Sequence, residues 1–218
     1  MRICSAGGQD LVPIGGKTGL ANGHFQTGNE LGLSLERMNR IEEIDTDNRT
    51  MTVQAGCILQ LAAEAAEEEG LLLPLDLGAR GTATVGGNVA TNAGGNMVIR
   101  YGMMREMLLG LEVVLADGTI ISNLNKMLKN NTGYDLKHWF VGSEGTLGVI
   151  TRVELRLRPL PRSQNTALLA VDDFDSLIKL LHWMDSHTAG TLSAFEVMWP
   201  EFYDHVTREG GNHRAEEE

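Results

Sequence analysis

Residues 78–95 read GARGTATVGGNVATNAGG: six glycines in eighteen positions, with Arg80 the only charged side chain. No other stretch restricts the chain as tightly. Glycine tolerates positive φ and lets main chain approach closely, so such a run can lay bare backbone against a large flat ligand. The threonines and asparagines among the glycines add small hydrogen-bonding groups. The stretch offers neither a metal cage nor an activated nucleophile, and reads as a mould for a cofactor.

Glycine clusters elsewhere as well. The chain has 26 glycines against five prolines, gathered at 7–32, 78–95 and 142–148, where they mark turns between apolar runs rather than a diffuse linker. A length of 218 residues allows one large domain or two modest ones, at ~100–200 residues per domain. A formal net charge of −11 and the lack of any Lys/Arg-rich run argue against a nucleic-acid partner. Two cysteines, Cys4 and Cys57, cannot build a disulfide framework, which points to a reducing compartment. MRICSAGGQD lacks the apolar centre of a signal peptide, and no apolar run reaches the length of a membrane span. The expectation is a cytoplasmic protein, or one peripheral at the inner face of a membrane.

The periodicities predict an α+β arrangement up to about residue 158. Leu11–Ile14 and Met51–Gln54 read as short strands. Ile58–Glu69 reads as a helix, with Leu59, Ala62, Ala63 and Ala66 at helical spacing and Gly70 as its stop. Two β runs flank Asp117-Gly118, a strong hairpin signal. Val149–Leu157 alternates as a strand and ends before Pro159 and Pro161. Beyond Pro161 the pattern predicts a strand at 166–171, a helix capped by Asp172 or Asp173, a second strand at 192–199, and a helix opened by Pro200. Residues 208–218 are polar and expected to be disordered.

Two motifs invite readings that their spacing rejects. Gly16-Lys17-Thr18 resembles the end of a P-loop, but the glycine required five positions earlier is Leu11. The glycine amides still suit an anion, because consecutive N–H groups form a concave nest fit for a pyrophosphate. Gly142-Ser143-Glu144-Gly145 resembles a nucleophile elbow, but the glycine required two positions before the serine is Val141. None of the six histidines pairs with another His, Cys or Glu at a reliable ligand spacing, so no metal site is expected.

Taken together, PIGGKTGLANG (13–23), LPLDLGARGTATVGGNVATNAGG (73–95), RYG (100–102), LGLEVVLADGT (109–119), NTGYDL (131–136) and GSEGTLGVIT (142–151) resemble the FAD-binding, PCMH-type domain of the vanillyl-alcohol-oxidase superfamily. Within it they are similar to the D-2-hydroxyacid dehydrogenases. The resemblance implies an α+β PCMH-type domain over 1–160 that lacks its first strand–helix–strand unit. It implies the beginning of an α/β ferredoxin-like cap over 161–207 and a polar tail over 208–218.

It also implies FAD as cofactor. The first glycine loop, which cradles the pyrophosphate in such proteins, carries over to Pro13, Ile14, Gly15, Gly16, Lys17, Thr18 and Gly19. The long glycine stretch, which lines the ribityl chain and flavin, carries over to Gly78, Ala79, Arg80, Gly81, Thr82, Ala83 and Thr84. It continues at Thr91, Asn92, Ala93, Gly94, Gly95, Asn96 and Met97. The segment that closes over the nucleotide carries over to Glu144, Gly145, Thr146, Leu147, Gly148, Val149 and Ile150. Some relatives hold flavin covalently through a histidine after the Gly-Gly pair; Lys17 occupies that place, so non-covalent FAD is expected. The Asn131–Asp135 segment is expected to brace the fold rather than touch substrate.

The implied reaction is oxidation of a D-2-hydroxy acid (D-lactate, glycolate or D-2-hydroxyglutarate) to the 2-oxo acid. Electrons would leave to an acceptor protein or quinone. In relatives the substrate-binding and catalytic groups lie in the later cap, so the chain is expected to be an incomplete enzyme with no catalytic residue assigned. The alternative is a non-catalytic or truncated flavin-binding subunit that needs a complementary chain for substrate, with a homo-oligomer also open.

Overall fold

The alternation Met51-Thr52-Val53-Gln54 becomes one strand of an amphipathic sheet. The computed structural model describes residues 1–208, so the tail expected at 208–218 lies outside the described residues from 209 onward. In chain order the elements are α1 (Arg2–Ala6), β1 (Leu11–Ile14), β2 (Leu31–Ser34), β3 (Ile41–Asp45), β4 (Thr50–Gln54), α2 (Leu59–Glu68) and β5 (Leu71–Leu72). Next come α3 (Val85–Ala90), α4 (Val98–Tyr101), α5 (Met104–Met107), β6 (Leu108–Val114), β7 (Ile120–Asn123) and α6 (Lys137–Phe140). The last are β8 (Val149–Arg156), β9 (Arg158–Pro159), α7 (Phe174–His187) and α8 (Pro200–Thr207). The mixed helix and sheet content agrees with the α+β expectation.

Five strands form an antiparallel sheet in the order β3-β4-β8-β6-β7. The register Met51↔Leu155, Val53↔Val153 and Leu111↔Val153 puts one row of apolar side chains on one face, since side chains alternate with period two. That face is covered by Leu59, Ala62 and Ala66 of α2, Val85 and Val89 of α3, and Met104 and Met107 of α5, all buried. Burial of these side chains is the main favourable term in holding the layers together. The opposite face is polar. Thr52 donates to Glu154 (2.5 Å), Gln54 to Glu42 (2.9 Å), Arg152 to Glu42 (3.1 Å), and Lys126 to Glu43 (2.6 Å) and Asp45 (3.3 Å).

The hairpin forms at Asp117-Gly118 as its dipeptide dictates: Gly118 has φ +83° and Asp117 Oδ1 accepts from the Thr119 N–H (2.8 Å). Helix α2 stops at Gly70, φ +69°. Strands β1 and β2 pair in parallel, and parallel strands need a long crossover. Here the crossover is the glycine-rich segment 15–30, which contains no helix or strand.

Three expectations are corrected. Residues 166–171 and 192–199 do not form strands. A strand persists only when a neighbour pairs its N–H and C=O groups, and among the described residues none does. Their apolar side chains stay in water, Leu168 at 73% and Trp199 at 58% exposure. The helices between and after them do form. Asp173 caps α7 by accepting from the Ser176 N–H (2.7 Å), and Pro200 opens α8. The third correction concerns Asn131–Asp135, which is exposed throughout, with Tyr134 at 95%. Its side-chain contacts are local, Lys137 with Asp135 (2.7 and 2.6 Å), so it braces nothing distant.

Asp45 sits at the end of β3, where hydrogen bonds from the Asn48 side chain and N–H, together with Lys126, hold its carboxyl down to about 2. Because the folded value lies below the unfolded one, the resulting stability is present above about pH 4 and is lost as pH falls through about 2. Asp45→Asn should therefore lower the urea midpoint at pH 7 and flatten its fall between about pH 4 and 2. An unchanged acid slope in the variant would show that Asp45 contributes no such term.

Candidate functional site

Strand β1 runs out at Ile14 into Gly15 and Gly16, and this turn packs on the chain leading into α3. A Cβ at Gly15 would lie 2.6 Å from Thr84 Oγ1, and one at Gly16 would overlap the Thr82 carbonyl. Both positions therefore exclude a side chain by contact rather than by torsion. The glycine stretch itself is not loop throughout. Residues 85–90 form α3, with Thr84 as N-cap accepting from the Gly87 N–H (3.3 Å).

Helix α3 is fixed from both ends. Its first amides donate into the exit of β4: Val85 N–H to the Cys57 carbonyl (2.8 Å) and Gly86 N–H to the Ala55 carbonyl (2.7 Å). A Cβ on Gly86 would overlap Ala55, so glycine here sets the depth of the helix on the sheet. At the far end, the Val89 carbonyl accepts from the N–H groups of both Asn92 (3.1 Å) and Gly142 (3.1 Å), and the Ala90 carbonyl accepts from the Glu144 N–H (2.9 Å). The 142–148 segment is thus the C-terminal cap of α3. Arg105 locks this junction. Its guanidinium donates to the carbonyls of His138 (2.8 Å) and Val141 (2.9 Å), and its N–H donates to Asn92 Oδ1 (3.0 Å).

Between these pieces opens a cavity of about 620 Å³. From the first glycine loop it is lined by Pro13, Gly15, Gly16, Lys17, Thr18 and Gly19. From the long stretch it takes Gly78, Ala79, Thr84, Thr91, Ala93 and Gly94, and from the closing segment Glu144, Gly145, Gly148, Val149 and Ile150. Three segments far apart in sequence, each expected at a ligand, share one cavity. Lys17 is the only Lys or Arg among the lining residues and Glu144 the only carboxylate. Both adopt left-handed backbone, φ 56° and 49°, a conformation that non-glycine residues avoid.

The remaining expected positions lie behind the lining. Ile14 belongs to β1, where its side chain lies against Gly32. Arg80 pairs with Asp76 (3.0 Å). Gly81 and Thr82 form the turn beneath Gly16, and Ala83 accepts from the Leu59 N–H (2.8 Å). Asn92, φ 49°, serves Arg105. Gly95, φ +87°, passes against the Asp76 carbonyl, to which Asn96 N–H also donates (3.1 Å). Met97 precedes α4, Thr146 Oγ1 donates to the Ser143 carbonyl (2.7 Å), and Leu147 is half-exposed.

Sequence reasoning missed other lining positions. Leu20, Ala21, Gly23 and His24 extend the first loop, and Leu35 and Leu77 form part of the wall. Gly86, Gly87, Asn88 and Ala90 come from α3. The last four carried a usable signal, the position of GGN inside the glycine stretch, but only a helix turns those residues toward one side. Away from the cavity, burial raises the Cys57 thiol and lowers the His138 imidazole, the latter opposed by Asp135. Among the described residues no group of three or more His, Cys, Asp and Glu is placed to hold a metal ion.

Comparison with known proteins shows the family. The FAD binding domain family matches residues 1–123. The D-2-hydroxyglutarate dehydrogenase of Bos taurus mitochondria is 44% identical over 198 residues, 91% of this chain and 36% of that protein. The D-2-hydroxyglutarate dehydrogenase of Xanthomonas citri is 42% identical over 210 residues, 96% of this chain and 44% of its own length. The chain thus spans well under half the length of these relatives. Among solved structures, alkyldihydroxyacetonephosphate synthase superposes with a TM-score of 0.65 at 23% identity, covering 74% of this chain and 32% of the synthase, which supports the shared PCMH-type fold. The cytoplasmic expectation is overturned. The bovine relative, like those of Oryza sativa and Danio rerio, is named mitochondrial, and the bacterial one carries no such word.

Arg105→Gln should lower stability by about 1.5–3 kcal/mol, the usual worth of a charged hydrogen bond, when measured by urea denaturation. A variant as stable as the parent would mean that the Arg105 contacts do not hold the junction.

Proposed function

Since this chain belongs to the FAD binding domain family, we propose that it is the flavin-holding part of an FAD-dependent D-2-hydroxyacid dehydrogenase, with D-2-hydroxyglutarate the first substrate to test. The observation that carries this reading is the convergence of the three glycine-bearing segments on one cavity. Its volume lies in the range of ~300–1,000 Å³ typical of small-molecule and cofactor sites. The residues present fit a dinucleotide. Gly15 and Gly16 bare their backbone, Lys17 supplies a positive charge beside them, and the buried Asn88 side chain carries an Nδ2 without a partner.

In this reading Gly15–Gly19 hold the diphosphate through their amides with Lys17 as counter-charge. The α3 wall and residues 91–94 lie along the rest of the cofactor, and Glu144–Ile150 close over it. Bound FAD would supply two-electron redox chemistry, accepting the hydride of the substrate carbinol as the 2-oxo acid forms, with an acceptor protein or quinone taking the electrons onward. The chain's own residues bind and orient the cofactor. With Lys17 in place of a histidine, attachment is non-covalent. Residues 1–160 form the flavin domain and 161–207 open the cap, of which the described residues show helices α7 and α8 and no strand. The exposed apolar side chains of that stretch, Leu168, Phe174, Trp199 and Phe202 among them, support its role as a surface meant for further polypeptide.

A second reading is a flavin-binding subunit whose substrate groups come from a complementary chain. It is favoured by the cavity's single cation, Lys17, because a hydroxydicarboxylate needs more than one positive partner.

The purified protein should bind FAD and release it on acid precipitation; flavin retained in the pellet would overturn the non-covalent reading, and no binding would overturn the whole proposal. Lys17→Asn, which suits the left-handed backbone but removes the charge, should weaken FAD binding about tenfold (~1.4 kcal/mol) and flatten its salt dependence. D-2-hydroxyglutarate added to the flavin-loaded protein alone separates the two readings, since bleaching of the flavin absorbance excludes the second.

A further inference from the structure

Helix α3 and its flanks carry four polar side chains: Thr84, Asn88, Thr91 and Asn92. Three are engaged within the protein. Thr84 Oγ1 accepts from the Gly87 N–H, Thr91 Oγ1 donates to the Gly87 carbonyl (3.0 Å), and Asn92 Oδ1 accepts from the Arg105 N–H. Asn88 differs. Its backbone is fully used, with its N–H donating to the Thr84 carbonyl (2.9 Å) and its own carbonyl accepting from the Ala93 N–H (2.8 Å). Its side chain is not: the residue is 4% exposed and Nδ2 is buried without a hydrogen-bond partner. Buried amides are nearly always bonded, and an orphaned one needs a reason.

The other buried orphans do not share Asn88's position. Thr50 Oγ1, His138 Nε2, Glu154 Oε1 and Thr188 Oγ1 belong to residues outside the cavity lining, whereas Asn88 is part of it. The helix at this site has no need of a polar residue. Alanine there would favour the helix and leave nothing unpaired. We propose that Asn88 contacts the bound cofactor, its carboxamide hydrogen-bonding FAD, and that the unpaired amide of the free protein is the counterpart of that contact. The inference rests on FAD as the occupant of the cavity. A carboxamide presents a donor and an acceptor side by side. It therefore complements an edge that also carries both, as the flavin pyrimidine ring and the adenine do, or a row of ribityl hydroxyls. The diphosphate, which only accepts, is a poorer match.

The test uses Asn88→Ala, which adds no atoms and favours the helix, with two readouts on the whole chain. Urea denaturation of the flavin-free protein should show a midpoint equal to or above the parent's, because an unsatisfied group has been removed. FAD titration followed by flavin fluorescence should show affinity lowered about tenfold. FMN and ADP titrations locate the contact: weaker FMN binding places it on the flavin half, weaker ADP binding on the adenine half. A variant that binds FAD as the parent does overturns the proposal, and so does one that loses stability while keeping its affinity. A parent protein that binds no FAD overturns the cofactor reading itself, so the two failures are distinguishable. Asn88→Ser, which keeps one small polar group, should fall between parent and Ala in FAD affinity.

Discussion

The cavity side of this molecule depends on one close approach, the Gly86 backbone against Ala55 at the exit of β4. Because no side chain intervenes at Gly86, α3 lies deep enough to accept support from two sides at once. Its leading amides reach the carbonyls of Ala55 and Cys57, and its trailing carbonyls receive Gly142 and Glu144. A methyl at Gly86 would lift the helix and strain all four contacts together. Interiors packed near crystal density transmit such a shift rather than absorb it. The same depth lets Gly15 and Gly16 pack closely against Thr84 and Thr82, so the first glycine loop inherits its position from the helix.

Around that fixed point lie three of the six left-handed non-glycine residues among the described residues, conformations that a chain selected for stability alone would avoid. Lys17, Asn92 and Glu144 hold left-handed backbone, and Asn88 keeps an amide unpaired. Lys17 and Glu144 line the cavity, while Asn92 holds the Arg105 junction behind it. Strain of this kind persists only where the surroundings over-determine it, and it gathers where a ligand is to be met. The far face of the sheet carries ion pairs, Lys126 with Glu43 and Arg152 with Glu42, though Glu154 Oε1 is buried there without a partner as well.

Much of the sheet was readable in advance because its signals are local. The Asp117-Gly118 turn, the alternation of β8 and the apolar stripe of α2 each state their element within a few residues. Strand β3 was missed because IEEID shows mostly carboxylates; its pairing to β4, and Lys126 across the face, make those carboxylates tolerable. Helix α3 was hidden by its glycines, since propensity argues against VGGNVA and only contacts with residues 55–57 and 142–144 hold it helical. The runs at 166–171 and 192–199 carry strand composition but lack a neighbouring strand among the described residues, and composition alone supplies no hydrogen bonds. At the site, the resemblance pointed to three segments that share one cavity. It did not separate residues that face the cavity, such as Thr84, from those that hold the wall, such as Asn92, because that division is set by the helix.

A six-residue helix is too short to survive by itself in water, where even favourable sequences need more than two or three turns. Helix α3 therefore exists only after segments about thirty and fifty residues away along the chain have closed on it. The cavity wall is in this sense a product of the tertiary fold rather than of its own sequence. Like the pairing of β8 with β4 across a hundred residues, the seating of α3 rests on contacts between parts distant in the chain, each with its own cost of loop closure. A change that loosens residues 55–57 or 142–144 would therefore reach a ligand through the wall they hold, without touching the ligand itself.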